Sequence, residues 1–341
     1  MNVLITGSAG LVGSECCRLL YEKGFKVISV DNYMRGKILG EDANTSPVMR
    51  KLLKECDIEH HEVDFRSERI LPLVKKSEAV IHAAAQPSHP KSIEIPTEDF
   101  QINAWGTLLL LETIRRHNRD AIFLLCSTNK VYGDVPNYFR YRKIGKRFEP
   151  EDPFLKDGFD ETLRIDRCLH TPFGVSKATA DLYTQEYSSL YKLQTGIFRM
   201  GCITGGAAMA VELHNWEPYF VKKALNKEKL TIFGYGGYQV RDVIHARDLA
   251  ELFHEFIKNP NSGEVYNIGG GRTNSISLLE AIDLIQDLVG HEIDYTLGPP
   301  REGDHVWWIS KLNKIKAHYS QWRPERDLKS IFKEIYETLV K

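Results

Sequence analysis

The chain has 341 residues, with 45 Lys and Arg against 46 Asp and Glu, giving a formal net charge of −1 and a pI of about 6.9. Hydrophobic residues make up 42% and aromatic residues 10%, enough core to exclude a disordered chain. The balanced charge argues against a nucleic-acid binder, and the longest apolar runs, Leu108 to Leu111 and Ala121 to Cys126, fall far short of the roughly 18 residues of a membrane span. At about 150 residues per domain, the length predicts about two domains.

The first half alternates short β-branched runs with amphipathic stretches. Asn2 to Thr6 reads as a strand, and Leu11 to Lys23 has apolar residues at helical spacing, closed by Gly24. Strands are predicted at Lys26 to Val30 (ending at Asp31), Glu59 to Asp64, Ala79 to Ala83 and Ala121 to Ser127, with a helix over Thr97 to His117. This alternation implies right-handed βαβ units and a parallel sheet, hence an α/β doubly wound fold. Asp134 to His170 is long, irregular and without periodicity, as a functional connection or lid would be. Thr171 then caps a helix to Tyr191 with Pro172 at its first position, followed by a strand at Thr195 to Met200. Further helices are predicted near 217–226, 248–259, 278–289 and 328–340.

Six cysteines (Cys16, Cys17, Cys56, Cys126, Cys168 and Cys202) form no CxxC pair and read as reduced thiols. The opening Met1-Asn2-Val3-Leu4-Ile5 has no basic segment of a secretory signal, so a cytoplasmic location is expected. The 12 histidines show no metal spacing, no metal is expected, and His60-His61 reads as structural.

Between the first strand and first helix lies Gly7-Ser8-Ala9-Gly10-Leu11-Val12-Gly13. Glycines there let backbone approach a pyrophosphate, and the helix start supplies N–H donors and a positive dipole. Asp31 ends the second strand about 20 residues on, where a carboxylate accepts from a ribose 2′-OH and repels a 2′-phosphate. NAD is therefore expected rather than NADP, with Arg35 close enough to leave some tolerance of NADP. Asp64, ending the third strand, reads either as an adenine contact or as a turn residue.

With these motifs stand His82-Ala83-Ala84-Ala85-Gln86, Asn103 to Thr107, Ser127 to Asp134, Phe173 to Lys177, Phe198-Arg199, Gln239 to Ala250 and Tyr266 to Gly271. Together they make the chain resemble the extended short-chain dehydrogenase/reductases, the nucleotide-sugar epimerases and dehydratases, over nearly its whole length. The resemblance implies a Rossmann domain over 1–200, to which 240–262 returns, and a smaller mixed α/β lobe from 201–239 and 263–341 that binds a nucleoside-diphosphate sugar. It implies NAD held by Gly7, Gly10, Leu11, Val12, Gly13, Asp31, Asn32, Asp64, Phe65, Ala83, Ala84, Ala85, Asn103 and Lys177. It implies substrate contacts from Gln86, Thr128, Asn129, His214, Arg241 and Arg301, with the two arginines on the diphosphate. Hydride removal, a transient keto-sugar and hydride return follow, most closely in the manner of C2 epimerisation of a CDP-sugar. UDP-sugar 4-epimerisation, one-way dehydrogenation and a non-catalytic binding role are the alternatives. Family members pair through two helices, so a homodimer or homotetramer is expected through Thr97 to His117 and Thr171 to Tyr191.

The catalytic pattern of that family is Ser/Thr, Tyr and Lys. Thr128 and Lys177 match, but the tyrosine position holds Phe173, which has no proton to exchange. Either Phe173 is an engineered replacement, or it is natural and the base has moved to Lys177, Tyr138 or Tyr141, or activity is lost. Restoring Tyr at 173 is expected to raise turnover. Asn129 and Lys130 stand where the family's 4,6-dehydratases place an Asp-Glu pair, so elimination is not expected. Of Trp307-Trp308, at least one is expected in the core.

Overall fold

The computed structural model describes residues 1–341. Seven strands form one sheet: β1 (Asn2–Thr6), β2 (Lys26–Asp31), β3 (Glu59–Glu62), β4 (Ala79–His82), β5 (Ile122–Thr128), β6 (Thr195–Met200) and β7 (Glu264–Ile268). Their order is β7-β6-β5-β4-β1-β2-β3, and every pairing is parallel. A parallel sheet needs both faces covered, so its central strands are apolar without alternation. Val3, Leu4 and Ile5 of β1 and Phe123, Leu124 and Leu125 of β5 are fully buried accordingly.

Helices α1 (Leu11–Glu22), α2 (Gly106–His117), α3 (Pro172–Tyr191) and α4 (Ala246–Lys258) supply the cover. On one face, Cys16, Leu19 and Leu20 of α1 and Leu249, Phe253 and Phe256 of α4 pack with Val3, Ile5 and Leu124. On the other, Leu110, Leu111 and Ile114 of α2 and Ala180 and Tyr187 of α3 pack with Leu4, Val80 and Phe123. The run expected as a helix over Thr97 to His117 is continuous, but it contains a π-helical turn at Gln101–Trp105.

The second lobe stacks helices Trp216–Leu225, Leu278–Val289 and Leu328–Val340 on the strand Leu230–Phe233. Two parts of the expected division are corrected. Val240–His245 does not rejoin the large sheet; it pairs with Cys202–Thr204 and Ser275–Ser277. Glu264–Ile268, expected in the lobe, is β7 and extends the large sheet beside β6. The return to the sheet therefore covers α4 and β7.

The long segment from 134 to 170 is not featureless. Tyr141–Ile144 and Arg147–Pro150 form an antiparallel hairpin, and Phe159 packs against Trp307 and Trp308. Both tryptophans are fully buried.

One buried ionic network joins α3 to three strands. Arg199 of β6 donates from Nε and Nη2 to the two carboxylate oxygens of Asp181, each at 2.9 Å, and from Nη1 to Tyr132 Oη at 3.0 Å. Ser127 of β5 donates to Asp181 at 2.8 Å, and Tyr132 donates to Asn267 of β7 at 2.8 Å. Removing one member of a buried ion pair strands the other charge, at a cost of about 3–5 kcal/mol. We expect Asp181→Ala to lose stability on that scale in urea unfolding; a loss below about 1 kcal/mol would show that the network carries little.

Candidate active site

A single cavity runs along the C-terminal edge of the sheet from the Gly7 loop to the second lobe. Its first part is the glycine loop. Gly7 has φ +70°, and a Cβ there would sit 2.5 Å from Ala84 N. A Cβ on Gly13 would lie 2.2 Å from Gly7 O, so α1 closes on the loop only with glycine at that position. No side chain caps α1, and Leu11, Val12 and Gly13 at its start line the cavity. Helix N–H groups left without partners, with the dipole behind them, form a cradle for phosphate.

Asp31 accepts from Ala9 N at 2.9 Å and Tyr33 N at 2.8 Å, which fixes the loop against β2. Burial pushes its carboxyl above the usual Asp value, against the pull of those bonds. Asn32 donates to Asp64 at 3.1 Å, and Arg66 grips the same carboxylate from Nε at 2.9 Å and Nη2 at 2.7 Å. Phe65, Ala83, Ala84 and Ala85 continue this wall. Arg35 donates to Ala43 O at 2.8 Å and lies 3.3 Å from His214 Nδ1; burial lowers its pKa to about 10. His214 thus reaches from the second lobe to the Asp31 side of the cavity. Burial, and then Arg35, bring its pKa down to about 3. His60, by contrast, is bound by Ser29 at 2.7 Å and Tyr33 at 2.8 Å and is structural.

Thr128 lies at the end of β5, opposite Met200 of β6. Its hydroxyl accepts from Lys130 N at 3.2 Å and donates to Asn129 Oδ1 at 3.4 Å. Lys177 projects from α3 one turn after Phe173, and its Nζ donates to Cys126 O at 2.6 Å. Burial lowers its pKa. Phe173 lines the same wall, its backbone N donating to Ser92 Oγ at 3.0 Å.

The far end is cationic. Arg241 donates to Asp304 at 2.7 Å and Val240 O at 2.7 Å. Lys130 donates to Gly303 O at 2.9 Å and Asp304 at 3.4 Å. Burial opposes ionisation of Asp304, yet Arg241 and Lys130 hold it far below the usual carboxylate range. Arg301 lies over the Phe233 ring at 4.2 Å and donates to Glu212 O at 3.2 Å. Arg241 and Lys130 share one carboxylate, which leaves net positive charge, Arg301 lies 3.5 Å from the Glu212 carboxylate, and guanidinium forks match phosphate oxygens.

Two residues expected as contacts lie outside the cavity lining. Gln86 and Asn103 do not line the cavity; both are buried behind its wall. Gln86 N donates to Asn103 Oδ1 at 2.9 Å, and its Nε2 donates to Asp99 at 2.8 Å. Asn103 donates to Gln86 O at 3.1 Å and Ser176 Oγ at 3.2 Å, and Ser176 donates to Asp99. They brace α3 beside Lys177. Nor do Tyr138 and Tyr141 reach the cavity, which no residue of 134–170 lines. Tyr138 is exposed, and Tyr141 donates to Pro136 O at 2.5 Å.

The cavity has other polar residues. His89, Trp216, Glu217 and Gln239 each line it with a buried polar atom that lacks a partner. His89 and Glu217 carried no sequence signal, whereas Gln239 opens the motif that holds Arg241 and Trp216 lies two residues after His214.

This arrangement defines a Rossmann-type dinucleotide site facing an anion-binding lobe. The chain belongs to the NAD dependent epimerase/dehydratase family, whose model matches residues 3–269. It is 32% identical to the CDP-paratose 2-epimerase of Salmonella typhi over 99% of this chain and 98% of that one. It is 31% identical, over 98% of this chain and 96% of the other, to a Methanocaldococcus jannaschii protein provisionally named a UDP-glucose 4-epimerase. The fold matches the UDP-glucuronic acid 4-epimerase of Bacillus cereus, solved with UDP-glucuronic acid and NAD, at a TM-score of 0.84, with 22% identity and coverage of 100% and 99% of the two chains.

Two measurements test this electrostatic reading. A charge-assisted hydrogen bond is worth about 1.5–3 kcal/mol, so Asp31→Ala is expected to weaken NAD binding by about 10–100-fold in calorimetry; an unchanged Kd would reduce Asp31 to a loop support. Glu217 is buried, and burial raises its pKa to about 8. The folded protein then holds a proton that the unfolded chain releases near 4.5, so stability is lost as pH rises between those values. Glu217→Gln is expected to raise the thermal midpoint at pH 8 more than at pH 5; equal shifts would contradict this.

Proposed function

We propose that this protein is an NAD-dependent nucleotide-sugar epimerase that inverts C2 of a CDP-sugar. The observation that carries the reading is one continuous cavity holding the glycine cradle, Thr128 with Lys177, and the Arg241–Arg301 pair. The full-length likeness to a CDP-paratose 2-epimerase supports the carbon and the base, and the likeness to the provisionally named UDP-glucose 4-epimerase makes UDP-sugar 4-epimerisation the second reading.

The glycine loop and Asp31 fit the pyrophosphate and adenosine ribose of NAD, which when bound supplies the hydride acceptor. Arg241 and Arg301 bind the diphosphate and so set the sugar's depth. The Thr128 hydroxyl is placed to hydrogen-bond the reacting oxygen. Lys177, anchored on Cys126 O, supplies positive potential at the cofactor end, which favours charge developing on the sugar oxygen. Asn129 and Lys130 provide no carboxylates for water elimination.

We also propose a dimer through α3 and the helical run before it. Phe100, Trp105, Val175, Leu182, Tyr183 and Leu190 are all more than 40% exposed there, an apolar surface that a partner copy would cover. Light scattering is expected to give twice the chain mass, and a monomer would refute it.

The decisive test pairs thermal-shift binding of CDP, UDP, GDP and TDP in the presence of NAD with turnover of a nucleotide-sugar panel. Inverted product without net NADH is expected, with CDP giving the largest shift. NADH accumulation would mean a dehydrogenase, and binding without turnover would mean a non-catalytic role. Arg241→Ala is expected to raise KM by at least tenfold.

A further inference from the structure

Removing hydride from a carbinol needs an acceptor for the hydroxyl proton, and Phe173 offers none. The other titratable groups of the cavity are mostly committed. Lys177 donates to Cys126 O, and Lys130 donates to Gly303 O and Asp304. Asp304 is neutralised by Arg241 and Lys130 and accepts from His305 N at 3.0 Å. Thr128 is engaged as acceptor and donor. Burial holds the Cys126 and Cys202 thiols protonated, Cys126 with a pKa of about 12. It holds Glu217 as a neutral acid up to about pH 8, without a basic lone pair.

His89 is different. It lines the cavity, and its Nδ1 is buried with no hydrogen-bond partner. It begins the short helix His89–Glu94, which is tied directly to the Phe173 position. Ser92 Oγ donates to His89 O at 2.7 Å and accepts from Phe173 N at 3.0 Å. Two hydrogen bonds thus join the residue with the free imidazole to the residue with the missing hydroxyl. A buried nitrogen without a partner is rare in a folded protein and marks an imidazole that the fold does not use to hold itself together.

Resting on the epimerase reading, we propose that His89 is the proton acceptor and donor of this reaction, taking over the role of the hydroxyl absent from position 173. As hydride leaves the carbinol carbon for NAD, the O–H bond breaks, its proton passes to an imidazole nitrogen and a C=O bond forms. The sugar is oxidised by two electrons and NAD is reduced by two. On return of hydride to the other face, the imidazolium gives the proton back and both groups are restored.

The surroundings of His89 suit this task. Lys130, Asp304, Arg301 and Arg241 are the charged groups that face it. Burial, then Lys130, bring its pKa down to about 3, so the ring is neutral with a lone pair available at working pH. A diphosphate on Arg241 and Arg301 offsets two of those cations and makes the imidazole more basic only when substrate is present.

The experiment compares His89→Gln and His89→Ala with the wild type. We expect kcat to fall by about 10²–10⁴-fold, with KM, NAD content and thermal midpoint unchanged. We expect imidazole to restore part of the activity of His89→Ala, and Phe173→Tyr to restore part of that of His89→Gln. The ¹⁵N spectrum of the wild type should show a neutral His89 ring at pH 7, whatever the enzyme's turnover. A kcat within threefold of wild type in His89→Gln, a cationic ring at pH 7, or a loss that neither imidazole nor Phe173→Tyr recovers would overturn the assignment while leaving the epimerase reading intact. A wild type that inverts no nucleotide sugar would sink that reading, and the role of His89 with it.

Discussion

The paired hydrogen bonds between Arg199 and Asp181 are the constraint on which the site depends. They fix α3 against β6, and Ser127 extends the hold to β5. Lys177 stands one turn before Asp181 on the same helix and reaches Cys126 O on β5. Thr128 lies two residues beyond that carbonyl. The spacing between the helix lysine and the strand threonine is therefore set by a buried ion pair rather than by the cavity, and it holds when the cavity is empty. That is preorganisation in a concrete form: the charged group need not be ordered when substrate arrives. The Gln86–Asn103–Asp99–Ser176 network does the same from the other side of α3. Motif positions that look like ligand contacts here serve as braces for the residues that line the cavity.

Electrostatics gives a second layer. A whole-chain charge of −1 conceals a strongly uneven distribution. Arg241 and Lys130 are held at one end by Asp304, with Arg301 beside Glu212, while Asp31 and Asp64 stand at the other. A single buried carboxylate lets Arg241 and Lys130 share a small volume, because each is partly compensated. The compensation is incomplete, and the remainder is available to a diphosphate. At the opposite end the carboxylates favour ribose hydroxyls and disfavour an added phosphate. Arg35 does not reverse this, because its guanidinium is engaged by Ala43 O and lies beside His214.

Much of this was legible in the sequence because it is local. Glycine spacing, an acid at a strand end, and the apolar periods of β1, α1 and α3 each depend on residues within a turn or two. What escaped depends on long-range pairing. Nothing in Glu264–Ile268 distinguishes an edge strand of the large sheet from a strand of the lobe; only its partner β6 does. Gln86 and Asn103 sit in a motif whose neighbours, Ala83 to Ala85, do line the cavity, and only the turn of the chain at Gln86 carries the side chain behind the wall. The hairpin within 134–170 lacked periodicity because its strands are short and mostly solvent-facing, at Arg142 to Ile144. His89 follows a proline and a serine in a loop, with no spacing to mark it; its significance comes from Ser92 and Phe173, which the fold brings together.

The separation of Phe173 from its usual chemistry alters how the site is controlled. In the pattern this chain resembles, the proton-transfer group and the lysine share one helix turn, so the lysine's charge tunes the hydroxyl directly. Here Lys177 keeps its place and its bond to Cys126 O, but the neighbouring ring at 173 is inert and serves to close the wall. The His89 imidazole, with its unpartnered nitrogen, stands instead among Lys130, Arg241 and Arg301, of which the two arginines are proposed to meet the diphosphate. In the proposed mechanism its basicity is governed by substrate occupancy rather than by a fixed neighbour. Three cations and burial suppress proton uptake, and a bound dianion would relieve part of that suppression. Proton transfer is thereby coupled to the correct seating of the part of the substrate that does not react.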